Sequence, residues 1–186
     1  MNMGRGTLET IVGAMFAGKT SELLKRILWA EHQGKKILVL KPKIDNRYSE
    51  KLISTHNNLS HECYAMDNWK DVNSNFFFDK KKYDVIFLDE IQFMKADETI
   101  TNVENLLQIG IDIVCAGLDQ DSRGKPWETS SYMLALADKI TKIYGFCNVC
   151  GMEAKKTFRK VEGGSRTQVG AANIYEPRCL KHWKPQ

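Results

Sequence analysis

Three groups of residues in this chain have the types and spacing that chemistry needs. Gly13-Ala14-Met15-Phe16-Ala17-Gly18-Lys19-Thr20 fits G-x-x-x-x-G-K-[ST]. Glycines at its ends let successive backbone N–H groups converge on phosphate oxygens beside the positive end of a following helix. Lys19 would reach the β and γ phosphates of a nucleotide, and Thr20 would hold Mg²⁺. The second group is Asp89-Glu90, which follows the apolar run Val85–Leu88. A nucleotide site needs an acid for its metal at the end of a neighbouring strand, and Asp89 is the candidate. Adjacent acids at a strand end point in different directions, so Glu90 could take a proton from an attacking hydroxyl or water. An acid favoured only by the dipole of a following helix would look the same. Cys147-x2-Cys150, then 28 residues, then Cys179-x2-His182 make the third group. Two close pairs suit a tetrahedral Cys₃His zinc site, which leaves no open position and is therefore structural. The matching Cys-x-x-His argues against a redox Cys-x-x-Cys. Cys63 and Cys115 lack partners at useful spacing and are expected to be buried thiols, with His32 and His61 in solvent.

The phosphate pattern requires a strand before it and a helix after it. Leu8–Val12 reads as that strand, and Ser21–His32 as that helix, with Leu23, Leu24, Ile27 and Leu28 on one face and Gly34 beyond its end. Ile37–Leu40, Val85–Leu88 and Ile111–Ala116 read as further buried strands. Ile100, Val103, Leu106 and Leu107 line one helix face before Gly110, and Glu128–Lys139 is another helix before a strand at Ile140–Tyr144. Ile44–Phe78 gives no clear pattern. Continuous apolar strands separated by helices indicate an α/β fold, a parallel sheet covered on both faces.

The 186 residues are 42% hydrophobic and 10% aromatic against 27% charged, which excludes wholesale disorder. No apolar run approaches the ~18 residues of a membrane helix, and Met1–Gly6 has no apolar signal core, so a cytoplasmic protein without a membrane partner is expected. Five cysteines are too few for a disulfide scaffold of this length. The net charge of +4 is unevenly spread. Residues 1–143 hold 19 Lys and Arg against 20 Asp and Glu, whereas residues 144–186 hold 8 against 3. Two domains are therefore expected: 1–143 for a nucleotide and 144–186 around the metal. About 40 residues rarely fold on apolar burial alone, which a metal would remedy. The basic segment suits an anion, either nucleotide phosphates or nucleic acid.

Together these pieces resemble a zinc-containing (type II) thymidine kinase over about Leu8–Trp183. The residues that carry the resemblance are Gly13–Thr20, Asp45-Asn-Arg-Tyr48, Asp89-Glu90-Ile91-Gln92-Phe93, Ala116-Gly-Leu-Asp119, the Cys/His tetrad and Val169-Gly-Ala-Ala-Asn-Ile-Tyr-Glu-Pro-Arg-Cys179. The resemblance implies a P-loop NTPase-like sheet and phosphorylation of the 5′-hydroxyl of thymidine or deoxyuridine by ATP and Mg²⁺, with Glu90 as base. It adds Gln92 to the ATP-binding set. It implies that Cys150–Cys179 forms a lasso over the nucleoside, with main chain at Arg166, Thr167, Gln168, Val169 and Gly170 on the thymine edge and Tyr175 packed on the nucleoside. Met15, Gln92, Leu118, Ser122 and Trp127 complete that implied pocket. A homotetramer, feedback inhibition by dTTP and no nucleic-acid partner are implied too. Asp45 and Arg47 match a motif near the family's active site, though a surface ion pair would also explain them, and His56 has no assigned role.

Two departures stand out. Where the family writes Leu-Asp-x-x-Phe-x-x-x-Pro-Phe, this chain has Leu118-Asp-Gln-Asp-Ser122-Arg-Gly-Lys-Pro126-Trp127. Losing the aromatic at Ser122 could forfeit roughly 0.5–1.5 kcal/mol beyond area burial, which Trp127 would partly restore. Ala14 stands for the usual Pro. Competing readings are another kinase with a zinc lid, such as adenylate kinase, a nucleic-acid-dependent NTPase, and a catalytically dead relative. The metal pairs close this chain rather than interrupt it, basic and aromatic residues do not interleave, and Lys19, Thr20, Asp89 and Glu90 are intact.

Overall fold

The computed structural model describes residues 4–44, 52–54, 60–76, 83–161, 163, 165–166 and 172–185. Asp45, Arg47, His56 and the lasso positions Thr167, Gln168, Val169 and Gly170 lie outside them. Six strands form one parallel sheet in the order β5-β2-β6-β7-β1-β8. They are β1 (Leu8–Val12), β2 (Ile37–Pro42), β5 (Tyr64–Met66), β6 (Val85–Leu88), β7 (Asp112–Gly117) and β8 (Lys139–Lys142). Between β2 and β5, the short strands β3 (Leu52–Ser54) and β4 (Ser60–Glu62) pair antiparallel as a separate ribbon.

Alternation along the strands divides the core between two faces. Leu38, Leu40, Ile86, Leu88, Ile113 and Cys115 pack with Trp69 and Val72 of α2 (Trp69–Phe76), Val103, Leu106 and Leu107 of α3 (Ala96–Gln108) and Met133 of α4 (Glu128–Leu136). Val39, Val85, Phe87 and Ala116 point the other way, onto Leu23, Leu24, Ile27 and Ala30 of α1 (Lys19–His32). Helices on both faces of a parallel sheet, with a glycine-rich turn between β1 and α1, make this a P-loop NTPase-like α/β fold.

Several expected boundaries move. Helix α1 starts at Lys19 rather than Ser21, because Gly18 at φ 92° supplies the left-handed turn that caps it. That brings the helix's free amides to the phosphate loop. Leu28 is 49% exposed, and Ala30 takes the fourth buried position, since α1 covers only part of the sheet. Helix α4 stops at Leu136, with Asp138 accepting the Leu8 N–H at 2.8 Å as the chain turns into β8. Cys115 is buried, and that burial pushes its thiol up to about 12, so it is inert. Cys63 is only partly buried, and His61 lies 3.1 Å from Glu31 instead of standing free in solvent.

Strand β8 matters because it braces the phosphate loop from behind. A Cβ on Gly13 would lie 2.3 Å from the Ile143 carbonyl oxygen, so only glycine fits there. The edge is fastened by Glu9 of β1, which accepts from both Arg26 of α1 (2.9 and 3.1 Å) and the Thr141 hydroxyl (2.8 Å). Burial raises the Glu9 carboxyl, but the bonds from Arg26, Thr141 and Lys139 outweigh it and hold the group below its ordinary 4.5. A carboxylate depressed in the folded state adds stability above its unfolded pKa and loses it as pH falls through the folded one. Glu9→Gln should therefore lower the urea midpoint at neutral pH, and the gap to wild type should close below pH 4.5. A gap unchanged by pH would mean that the Glu9 charge adds nothing.

Candidate active site

Because all six sheet strands are parallel, their C-terminal ends share one edge, where α/β folds place ligands. Gly13–Gly18 leaves β1 there, Asp89-Glu90 leaves β6, and Leu118 leaves β7. In the phosphate loop, Phe16 holds φ 63° and Gly18 φ 92°, which turns the backbone inward. The Lys19 ammonium is buried and donates to the Ala14 carbonyl at 2.8 Å, folding across the loop it would serve. The loop amides do not all converge on one centre. Met15 N–H donates to the Thr157 hydroxyl at 2.9 Å, tying the loop to the C-terminal segment.

The two acids diverge as their adjacency suggests. Asp89 is buried and accepts the Thr20 hydroxyl at 3.3 Å through Oδ2, while its Oδ1 accepts the Glu90 N–H at 3.0 Å. A hydroxyl and a carboxylate oxygen side by side are the hard donors that Mg²⁺ takes, so these two residues fit such an ion. Glu90 sits in the left-handed region at φ 52°, rare for a residue with a side chain. It is 8% exposed and accepts a hydrogen bond from the Gln92 carboxamide, whose Oε1 in turn accepts Leu118 N–H at 2.9 Å.

Beside this chain of bonds lies an apolar cluster of Met15, Leu118, Trp127 and Tyr175, with Phe16, Phe93 and Ile174 against it. Four expected pocket residues thus come together. Phe93 meets Trp127 edge to face, with centroids 6.0 Å apart. Burial raises the Tyr175 hydroxyl above its ordinary 10.0. Ser122 is half-buried. Arg166 stacks its guanidinium 4.4 Å over the Trp127 ring and donates to buried Asp121 at 2.8 Å and to the Pro126 carbonyl at 2.6 Å. Asp121 also accepts Arg123 N–H and Lys125 N–H through its other oxygen, at 3.0 and 2.9 Å, so it shapes the loop as well as gripping Arg166.

The C-terminal segment pairs β9 (Gly145–Phe146) with β10 (Glu153–Ala154) and β11 (Lys156–Arg159) with β12 (Tyr175–Arg178), both antiparallel. Among the described residues its own apolar cluster is Cys147, Ala154 and Cys179, while Phe146, Val149, Met152 and Leu180 are exposed. The four candidate ligand atoms of Cys147, Cys150, Cys179 and His182 lie within 4.8 Å of one another. Cys150 Sγ is 3.7 Å from Cys179 Sγ, and His182 Nδ1 is 3.2 Å from Cys179 Sγ and 3.8 Å from Cys147 Sγ. Zn–S bonds of about 2.3 Å and Zn–N bonds of about 2.0 Å at tetrahedral angles need edges of roughly 3.5–3.8 Å, so the donors fit zinc. Burial opposes the Cys147 thiolate, yet backbone N–H groups at Cys179, Val149 and Cys150 together with His182 bring it down to about 5. Met152 N–H favours the Cys150 thiolate, but burial and the neighbouring Cys147 and Cys179 push that thiol up.

The family model for thymidine kinase matches residues 6–183. The chain belongs to the thymidine kinase family. Its Cys₃His cluster fits the zinc-containing type. Solved structures that it resembles include domain III of the replication initiation protein DnaA from Thermotoga maritima, at 18% identity and TM-score 0.46, covering 75% of this chain and 55% of that one. A replication initiator DnaA bound to AMPPCP and single-stranded DNA matches at 16% and 0.45, covering 75% of this chain and 40% of the other. A DNA replication initiation factor matches at 16% and 0.44, over 74% and 40%. This thymidine kinase family member thus spans about half or less of those chains.

Motif reading passed over Thr157 and Asp121. A polar Thr at an inward position of the alternating strand Lys156–Arg159 was the available signal for the first, because buried polar groups need partners. Asp121 sits two residues before Arg123 and five before Pro126, a turn-forming position whose side chain caps backbone N–H groups. Trp183, at the end of the matched span, donates to the Thr157 carbonyl at 3.1 Å and packs under Gly124, where a Cβ would meet its ring at 2.9 Å.

Proposed function

We propose that this kinase transfers the γ-phosphoryl group of ATP to the 5′-hydroxyl of thymidine or deoxyuridine, giving the monophosphate for DNA synthesis by salvage in the cytoplasm. One observation carries the reading. A continuous run of hydrogen bonds leads from Glu90 through Gln92 to Leu118, so a buried carboxylate abuts the apolar cluster while its neighbour Asp89 bonds Thr20 of the phosphate loop. Acceptor, base and phosphate donor would then meet on one edge of the sheet.

In this account, amides of residues 13–20 and Lys19 hold the phosphates, with Asp89 completing the ATP side. Thr20 and Asp89 hold Mg²⁺, which would neutralise charge on the transferring phosphates. Glu90 takes the 5′-hydroxyl proton as that oxygen attacks the γ phosphorus and the bond to ADP breaks. Met15, Leu118, Ser122, Trp127 and Tyr175 enclose the nucleoside, and main chain from Arg166 through Thr167, Gln168 and Val169 to Gly170 reads the thymine edge. Residues 144–186 act as a lid domain on the ATP domain 1–143, fastened by zinc on Cys147, Cys150, Cys179 and His182. Closure excludes water that would otherwise take the phosphoryl group. Homotetramer formation and inhibition by dTTP belong to the same reading, which assigns no nucleic-acid partner.

A panel of nucleosides incubated with ATP, with and without single-stranded DNA, tests it. Monophosphate product from thymidine and deoxyuridine alone among the panel supports the reading. DNA-stimulated phosphate release without nucleotide product contradicts it. The same assay reads the family departure. Ser122→Phe should lower the thymidine Kd by about two- to tenfold through a restored aromatic face, and an unchanged Kd would remove Ser122 from the account of affinity.

A further inference from the structure

The Gln92 side chain is fixed on three sides. Leu118 N–H can only donate, so the atom facing it at 2.9 Å is Oε1, which turns the Nε2 amide towards the Glu90 carboxylate. The single 3-10 turn Ile91–Phe93 starts from the left-handed Glu90, and it brings residue 92 back over residue 90. Gly117 makes room: a Cβ there would lie 2.6 Å from Gln92 Oε1 and 2.6 Å from the Ile91 side chain. Both Gln92 and Glu90 are buried, at 5% and 8% exposure. A carboxamide locked in this way has its acceptor engaged by the protein and its donor aimed at a carboxylate.

We propose that Gln92 is a positioning residue for the base: its carboxamide holds the Glu90 carboxylate in one orientation and ties it to the Leu118 amide in the nucleoside wall. The proposal rests on the reading of Glu90 as base, and it replaces the ATP contact that the motif position suggests. An amide N–H aimed at one carboxylate oxygen fixes the direction in which the other oxygen faces. The bond to Leu118 N–H links the base to the wall that seats the acceptor. A base misplaced by a fraction of a bond length loses its contact with the hydroxyl proton.

The test is kcat and KM for wild type, Gln92→Leu and Gln92→Glu in the full chain, each alone and combined with Glu90→Gln. Gln92→Leu should lower kcat by about tenfold or more, as expected for losing a hydrogen bond to a charged group, with the KM for ATP within about twofold. Gln92→Glu keeps the volume and can still accept from Leu118 N–H but presents an acceptor to Glu90, so it should lower kcat too and decides the matter even if Gln92→Leu does not fold. Because Gln92 acts through Glu90, neither variant should lower kcat further beside Glu90→Gln, whereas a merely structural loss would add to it. A raised KM for ATP with an unmoved kcat would assign Gln92 to ATP and overturn the proposal, as would wild-type kinetics or additive losses. Turnover retained by Glu90→Gln would instead defeat the base itself, whereas a dead Glu90→Gln beside Gln92 variants of wild-type kcat would defeat the positioning role alone.

Discussion

Glu90→Gln should keep binding ATP and thymidine and lose phosphoryl transfer by roughly 10²–10⁴-fold, the usual worth of a general base. The substitution is nearly isosteric, and an amide oxygen can still accept from Gln92, so the turn at residues 90–93 should survive. In the proposed site the phosphate contacts come from residues 13–20 rather than from the Glu90 side chain. Only the ability to take a proton is removed. Calorimetric Kd values within a few-fold of wild type, beside a collapsed kcat, are the expected pattern. Retained turnover would remove Glu90 as base.

Metal removal should have the other large effect, and a different pattern. Among the described residues, the C-terminal segment's own apolar cluster is Cys147, Ala154 and Cys179, too small a core to order itself. A structural zinc site contributes roughly 10–16 kcal/mol, as much as the whole stability of a typical domain, about 5–15 kcal/mol. Chelation, or Cys179→Ala, should therefore unfasten this segment while the six-stranded sheet persists. Its connections show what would go with it: Thr157 bonds Met15 of the phosphate loop, Trp183 packs under Gly124, and Tyr175 belongs to the apolar cluster. Thymidine binding should fall below detection while ATP binding weakens only modestly. Zinc content near one per chain before chelation, and protease cleavage within residues 144–186 after it, are the checks. A metal-free chain with unchanged thymidine affinity and no new cleavage would contradict a structural role for zinc.

The features legible beforehand were those whose chemistry is local. Gly13 and Gly18 mark a turn that only glycine makes easily, and a buried strand and an amphipathic helix flank it in sequence. The Cys/His pairs announce themselves by spacing, as does an acid closing the run Val85–Leu88. What could not be read depends on partners distant in sequence. Strands β3, β4 and β5 are three residues each and carry no usable period, so the stretch after Ile44 stayed blank. Leu28 fits the helical stripe and yet faces out, because the width of the covered sheet decides how much of a stripe is buried. The bond from Leu118 to Gln92 spans 26 positions and that from Met15 to Thr157 spans 142, so no local pattern encodes either. The basic surplus in residues 144–186 left nucleotide and nucleic acid open. Arg166 and Lys156 spend their charge on Asp121 and Gln120 in the loop beside the apolar cluster, which suits a lid.

The most direct test of the whole account is the stoichiometry of a single turnover. Enzyme in excess over γ-labelled ATP, with saturating thymidine, should pass nearly all of the label to the 5′ position of the nucleoside and release almost none as free phosphate. That result requires acceptor, Glu90 and the phosphate loop to meet in a site closed to water. Label released as phosphate, with no labelled nucleotide formed, would contradict it.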